Sequence, residues 1–226
     1  MQTYLELTET CETGEKFAAF YDLLSDYNEK VNLTRITDKR DCVVKHFLDS
    51  LAGEKYFPQG ANCAEVGSGG GFPSVPLLIA RPDLSFTLFE SVEKKCVFLR
   101  LAVRELGLNA RVECMRAEDA GKDARFREKF DVCCARAVAR LNTLCEYCLP
   151  LVRTGGRFVA YKGSSGEEEA EECAHALSVL GAKECARERF SLPDGAGERV
   201  LFVAEKVSHT PAAYPRGNGK ERSRPL

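Results

Sequence analysis

A glycine-rich turn set directly behind a short apolar run constrains this chain most. Asn62-Cys-Ala-Glu-Val66 runs straight into Gly67-Ser-Gly-Gly-Gly-Phe-Pro73, and Pro76 to Ala80 then opens a helix. Glycines at 67 and 69 permit a tight turn and close approach of backbone to a ligand. The setting is strand–turn–helix, the geometry in which such loops serve ligands. Two familiar fingerprints fail. A dinucleotide GxGxxG loop needs glycine at position 72, which is Phe72, and no Gly-Lys-Ser/Thr follows to make a phosphate loop. The loop therefore suits a nucleoside or amino-acid moiety better than a row of phosphates.

From Cys63 onward, short apolar runs alternate with helical segments. Strands are expected at Leu84 to Phe89, Arg111 to Met115, Phe130 to Cys134 and Arg157 to Tyr161, the last after a Gly155-Gly156 turn. Helices are expected at Val92 to Leu106, capped by Gly107, at Arg140 to Leu149, and as one helix from Glu167 to Leu180. Late strands near Lys183 to Phe190 and Arg199 to Val207 read as a closing hairpin around Pro193-Asp-Gly195. This alternation predicts an α/β fold: a mostly parallel, seven-stranded sheet covered on both faces. Ligands in such sheets bind at the carboxyl ends of the central strands, where the winding reverses. Ahead of it lies helical sequence. Phe17, Phe20, Tyr21, Leu24 and Tyr27 form one apolar stripe, and a second helix is expected over Lys39 to Leu51. The break at Tyr56-Phe-Pro-Gln-Gly60 divides a cap, residues 1–58, from a core, 59–208, and a basic tail, 209–226.

Four further residues fall at or just past strand ends. Glu90 can accept hydrogen bonds from both hydroxyls of an adenosine ribose, which does not separate nicotinamide cofactors from S-adenosylmethionine. Ala117 and Glu118, past the third strand, offer a backbone amide and a carboxylate to an adenine edge; an acid in Glu118-Asp119 is more commonly just solvated. Arg136 ends the fourth strand. The Asn/Asp-Pro-Pro-Tyr motif of amino-group methyltransferases is absent there, so adenine N6 is not the expected target.

Composition narrows the partners. The formal net charge is -2, so any affinity for nucleic acid must come from local patches. The tail offers one: Arg216, Lys220, Arg222 and Arg224 set against Glu221. Eleven cysteines, many inside apolar stretches, read as small buried hydrophobes in a reducing compartment. Cys145 and Cys148 make the one CxxC, without a second pair at zinc-ribbon spacing, and no metal is expected. No apolar run reaches bilayer length, and Met1 to Thr10 lacks a signal peptide's basic start. A cytoplasmic monomer is the simplest reading.

Together these residues resemble the ribosomal small subunit methyltransferase G family, also called glucose-inhibited division protein B. The similarity covers nearly the whole chain. It is carried by Tyr27-Asn-Glu-Lys-Val-Asn-Leu-Thr34, His46-Phe-Leu-Asp-Ser-Leu51, Gly67 to Pro73, Arg116-Ala-Glu118, Ala135-Arg-Ala137, Lys162-Gly163, Tyr214-Pro-Arg216 and Pro225-Leu226. Ser74 departs from the family's usual glycine, and Gly70 from a frequent alanine. The resemblance implies a Rossmann-like methyltransferase fold and transfer of a methyl group from S-adenosylmethionine to N7 of a guanine in 16S ribosomal RNA, free or in the small subunit. Carried over by motif, Gly67, Phe72, Ala117, Glu118 and Arg136 contact the cofactor, and Glu90 joins them by fold analogy. Guanine N7 has a free lone pair and needs no general base. A-form RNA hides it, so the target belongs in a loop. Arg136 is expected at the cofactor or at O6, and Arg136 and Lys162 are the positioning candidates. His46 and Asp49, one helical turn apart, read as a local pair or as part of an RNA entrance. Lys162, Arg216, Lys220 and His46 are the candidate RNA contacts. Alternatives are a methyltransferase for another RNA, a protein or a small molecule, a nicotinamide-dependent oxidoreductase, a non-catalytic RNA-binding module and a cysteine-nucleophile cytosine methyltransferase. Phe72 argues against the oxidoreductase, and the mid-strand placement of Cys133 and Cys134 against the last.

Overall fold

The computed structural model describes residues 12–226; the reading of Met1 to Thr10 lies outside them. The first helix, α1, spans Glu12–Asn28 and buries Phe17, Phe20 and Leu24, while Tyr21 and Tyr27 stay partly exposed at the edge of that stripe. Asn28 then fixes the returning loop. Its Oδ1 accepts the N–H groups of Leu33 (2.8 Å) and Thr34 (3.0 Å), and its Nδ2 donates to the Thr34 carbonyl at 3.0 Å.

The second helix, α2, is continuous but irregular. Asp38 caps it by accepting the Asp41 N–H at 2.9 Å. Its first turn, Lys39–Cys42, passes into a π-helical segment, Val43–Leu48, and ends as Asp49–Leu51. Val43, Val44, Phe47 and Leu48 are buried. Wide i→i+5 turns of this kind recur at functional sites. Here the wide turn precedes Asp49 and contains His46, and both side chains reach one arginine of the core.

The core sheet has seven strands: β1 Asn62–Val66, β2 Ser85–Glu90, β3 Ala110–Cys114, β4 Phe130–Arg136, β5 Val152–Lys162, β6 Ala182–Ser191 and β7 Glu198–Lys206. Their order is β3-β2-β1-β4-β5-β7-β6, with β7 antiparallel to both neighbours and the other pairings parallel. The winding reverses between β1 and β4, which places the ligand crevice at their carboxyl ends. Central strands are buried on both faces, and β1 and β4 carry small or branched apolar residues accordingly. Helices α3 (Ser74–Ala80), α4 (Glu93–Glu105), α6 (Leu141–Cys148), α7 (Gly166–Glu172) and α8 (Ala174–Leu180) cover the sheet, with α5 (Ala117–Ala120) and α9 (Lys220–Ser223) as single turns.

Two apolar cores result. One joins Phe17, Phe20 and Phe47 of the cap to Leu77, Phe98, Val132 and Leu201. The other, on the opposite face, gathers Phe126, Phe130, Leu144 and Phe202, with Tyr214 and Leu226 of the tail packed on it. No helix among the described residues is long and apolar enough to cross a membrane.

Two expectations need correction. The helix expected over Glu167 to Leu180 is broken at Cys173, whose φ of -87° and ψ of 0° turn the chain between α7 and α8. Gly155-Gly156 is no turn between elements; β5 starts at Val152 and absorbs the glycines, with a register shift against β4. A Cβ at Gly156 would lie 2.6 Å from the Asp131 carbonyl, so only glycine fits that irregularity. The short helices α5 and α9 have no apolar period to announce them.

Phe47 is the pivot of the cap, with ring centroids of Phe17 and Phe20 at 5.1 and 5.6 Å and that of Phe72 at 6.2 Å. Phe47→Ala should cost about 3–5 kcal/mol of stability in a urea titration. It should also loosen α2 from the core.

Candidate active site

The loop after β1 is held by backbone bonds and shaped by steric limits. The N–H groups of Gly67 and Ser68 both donate to the Phe89 carbonyl, at 2.8 and 3.2 Å, and Gly71 closes a turn onto the Ser68 carbonyl at 2.7 Å. Gly67 has φ of +70°, and a Cβ there would sit 2.5 Å from Val138 Cγ2. Glycine is thus required by both backbone and space. Beneath the loop Glu65 is wholly buried. Its carboxylate accepts the Ser74 hydroxyl at 2.6 Å and the Ser74 N–H at 3.3 Å. Burial pushes the Glu65 carboxyl up to about 7, against the opposing pull of the Ser74 bonds. Ser74, the departure from glycine, is therefore an internal partner of the acid that carries the loop.

A crevice of about 420 Å³, counted out to its open mouth, follows this loop. It is lined by Val66, Gly67, Phe89, Glu90, Ser91, Met115, Arg116, Ala117, Glu118, Val138, Tyr147 and Arg222. The structure thus brings Gly67, Glu90, Ala117 and Glu118 to one place. The Glu90 carboxylate accepts the N–H of Gly69 at 3.0 Å and of Val92 at 2.9 Å, which fixes its orientation. A carboxylate has about four lone-pair positions, so it can still accept two hydroxyls. Tyr147 and Arg222, from α6 and the tail, form the far wall; nothing in the residue pattern pointed to either.

A second basin, about 830 Å³ out to solvent, opens on the other side of the β4 end. Its walls include Ile36, Lys45, His46, Asp49, Arg136, Ala137, Tyr161 and Arg199. Arg136 organises it. Nη1 donates to Asp49 Oδ2 at 3.0 Å and to the Lys45 carbonyl at 3.2 Å, Nη2 lies 2.9 Å from His46 Nδ1, and the guanidinium covers the Phe72 ring at 4.9 Å. Arginine can only donate, so His46 Nδ1 is the acceptor, and Nε2–H donates to Thr34 Oγ1 at 2.7 Å. Burial first, and Arg136 second, push the His46 pKa down to about 3, so the ring is neutral near pH 7. Phe72 stacks on His46 with centroids 4.3 Å apart. His46 and Asp49 are thus joined through Arg136 rather than as a local helix pair. Phe72 and Arg136 belong to this basin and its cap, not to the walls of the first crevice. Ala137, with φ of +58°, lines the second basin and Val138 the first, so one step of chain separates the two compartments.

The description "rRNA small subunit methyltransferase G" belongs to a family model that matches residues 13–194. The chain belongs to that family. Proteins named ribosomal RNA small subunit methyltransferase G from Staphylococcus aureus strains JH9 and Newman are 47% identical over 225 residues, covering 98% of this chain and 93% of theirs. Solved structures agree in fold at low identity. A Burkholderia thailandensis 1,6-didemethyltoxoflavin-N1-methyltransferase, bound to 1,6-didemethyltoxoflavin and S-adenosylhomocysteine, is 15% identical with a TM-score of 0.58, over 86% of this chain and 90% of its own. A Thermotoga maritima S-adenosylmethionine-dependent O-methyltransferase is 15% identical with a TM-score of 0.55, over 83% and 72%.

In this member of the family the expected phosphate contacts are largely engaged internally. Lys162 is 9% exposed; its ammonium pairs with Glu169 at 2.7 Å and donates to the Ala139 carbonyl at 2.9 Å. Arg216 clamps the buried Glu146 carboxylate, Nε to Oε1 at 2.9 Å and Nη2 to Oε2 at 2.6 Å. The physical reason is shared: each cation neutralises a carboxylate that packing has removed from water. Lys220 alone of the three is exposed. The tail is accordingly a docked segment. Arg127 donates to the Thr210 carbonyl at 2.7 Å and the Tyr214 carbonyl at 2.8 Å, and Thr143 to the Glu221 carbonyl at 2.8 Å.

The cysteines among the described residues are free, and Cys114 and Cys185 are the two exposed ones. Cys145 and Cys148 lie buried in α6. Glu93, Cys96 and Cys114 bring their ligand atoms within 4.8 Å of one another, a grouping that spacing alone did not suggest.

Two outcomes follow from these charges. Between pH 4.5 and 7 the native state holds a Glu65 proton that the unfolded chain has lost, so this group lowers stability as pH rises through that window. The deficit is complete above the folded value and on the order of 3 kcal/mol. Glu65→Gln should therefore gain on the wild type in urea midpoints measured from pH 5 to 8. Arg216→Ala should cost about 3–5 kcal/mol by stranding the Glu146 carboxylate. It should weaken S-adenosylmethionine binding in calorimetry, since the tail walls the crevice, and leave the salt dependence of RNA binding unchanged.

Proposed function

We infer that this chain is a methyltransferase that uses S-adenosylmethionine to methylate N7 of a guanine in a loop of 16S ribosomal RNA. The substrate class rests on the relatives at 47% identity, which span nearly the full chain. The observation that carries the reading is the pair of compartments meeting at the end of β4, one for a nucleoside donor and one for an acceptor base. We take residues 59–208 as the catalytic core, 1–58 as its cap, and 209–226 as the tail. We place the enzyme in the cytoplasm, acting as a monomer on ribosomal RNA or the small subunit.

The first crevice fits the cofactor. Gly67 lines it where a Cβ would collide with Val138 of the same wall, Glu90 is fixed with lone pairs to spare, and Ala117 and Glu118 line it with an amide and a carboxylate for an adenine edge. When bound, S-adenosylmethionine supplies a methyl carbon on a sulfonium leaving group. The chain's own task is positioning. Guanine N7 bears no proton, so no general base is needed, and the neutral His46 and internally bonded Lys162 are not called on to be one. Holding a nucleophile in line with its electrophile can lower a barrier by several kcal/mol. The Arg136 charge is fixed by Asp49 and His46. Such a fixed donor suits a base carbonyl better than a nitrogen that becomes cationic.

Incubation with labelled methyl donor and unmodified ribosomal RNA, followed by mapping of the labelled base, should return a single 7-methylguanosine in 16S RNA. Label in protein or small molecules instead would refute the assignment. Gly67→Ala should weaken cofactor binding on the order of tenfold or more, because Gly67 needs both positive φ and open space.

A further inference from the structure

We propose that Asp49 is the residue that reads guanine, by accepting the base's N1–H, with Arg136 beside it donating to O6. The inference rests on the methyltransferase reading above and assigns the base contacts of the second basin.

Asp49 is 4% exposed and lines that basin. Its two oxygens are used very differently. Oδ2 takes both available cations, Arg136 Nη1 at 3.0 Å and Arg199 Nε at 3.3 Å. Oδ1 is buried and has no hydrogen-bond partner among the described residues. A buried carboxylate oxygen without a donor is costly, and native proteins rarely leave one so. Two neighbouring side-chain donors are engaged elsewhere, His46 by Thr34 and Tyr161 by the Ser50 carbonyl at 2.9 Å. A donor carried by a ligand in the basin would complete it.

The chemistry of that ligand follows from what stands next to Oδ1. Three of the five N–H donors of Arg136 are engaged by Lys45, Asp49 and His46, which leaves two. The basin therefore offers donor beside acceptor. Guanine offers the complement on one edge, the O6 acceptor beside the N1–H donor. Adenine reverses both: an N6 amino group would meet the guanidinium, and a bare N1 the carboxylate. N7 lies past O6, away from Asp49. The same contact strengthens as a methyl group arrives, since positive charge on the purine makes N1–H a better donor to a fixed carboxylate. An interaction that grows in the transition state contributes to rate as well as to selection.

The test uses ribosomal RNA carrying guanosine, inosine, 2-aminopurine or adenosine at the methylated position. All four keep N7; only guanosine and inosine present O6 beside N1–H. The wild-type enzyme should methylate inosine within a few-fold of guanosine, and 2-aminopurine and adenosine about 10- to 100-fold more slowly. Asp49→Asn should slow guanosine by a similar factor and shrink the guanosine to 2-aminopurine ratio towards unity. A purely structural role would lower all bases together and preserve that ratio, which would overturn the proposal. Equal wild-type rates on guanosine and 2-aminopurine would overturn it without any variant, should Asp49→Asn fail to fold. A wild-type enzyme that binds S-adenosylmethionine yet leaves guanosine RNA unmethylated would instead remove the parent reading.

Discussion

The contact between Arg136 and the cap helix α2 is the interaction on which the arrangement of this site depends. β4 ends in a guanidinium that would be costly to bury alone. Asp49 supplies the counter-charge, His46 and the Lys45 carbonyl supply acceptors, and the Phe72 ring supplies a face. Breaking such a set by removing one member strands the others, so cap, glycine loop and sheet are placed as one unit. The cap is thereby part of the site, and its apolar core with Phe17, Phe20 and Phe47 is what keeps the polar cluster in register.

Much of this was legible in the residues, and the reasons differ by element. The sheet announced itself because parallel central strands must be largely apolar on both faces, as Cys63 to Val66, apart from the buried Glu65, and Val132 to Ala135 are. The loop was legible because positive φ and close approach leave only glycine. Helices α5 and α9 were not, since four residues carry no period. The break at Cys173 was hidden because α7 and α8 keep their apolar residues on one face across it. The two glycines of β5 were read as a turn, their commonest use, whereas here they admit a bulge.

Charge was the least legible feature. A basic residue in a sequence looks the same whether it meets solvent, a phosphate or a buried acid. Lys162, Arg216 and Arg136 meet Glu169, Glu146 and Asp49, acids 7, 70 and 87 residues away. Only the first of these spacings could have been noticed, and it joins β5 to α7, not two residues of one helix. The tail's apparent cationic patch is thus partly spent on α6, and its second role is to bring Arg222 to the crevice beside Tyr147.

This distribution bears on how a chain of formal charge -2 can engage RNA. Long-range attraction by the whole molecule is unavailable, so affinity must come from local cations and from shape. The internal pairing of Lys162 and Arg216 removes two of the obvious cations from that task. What remains at the second basin is a wide opening with few free charges and a fixed hydrogen-bonding pattern. On the reading proposed above, such a surface selects more than it attracts: it would hold poorly any strand that cannot place a base inside, and reward one whose loop can. Specificity built on a splayed base, rather than on phosphate contacts, is what a weakly charged enzyme acting on a folded RNA requires.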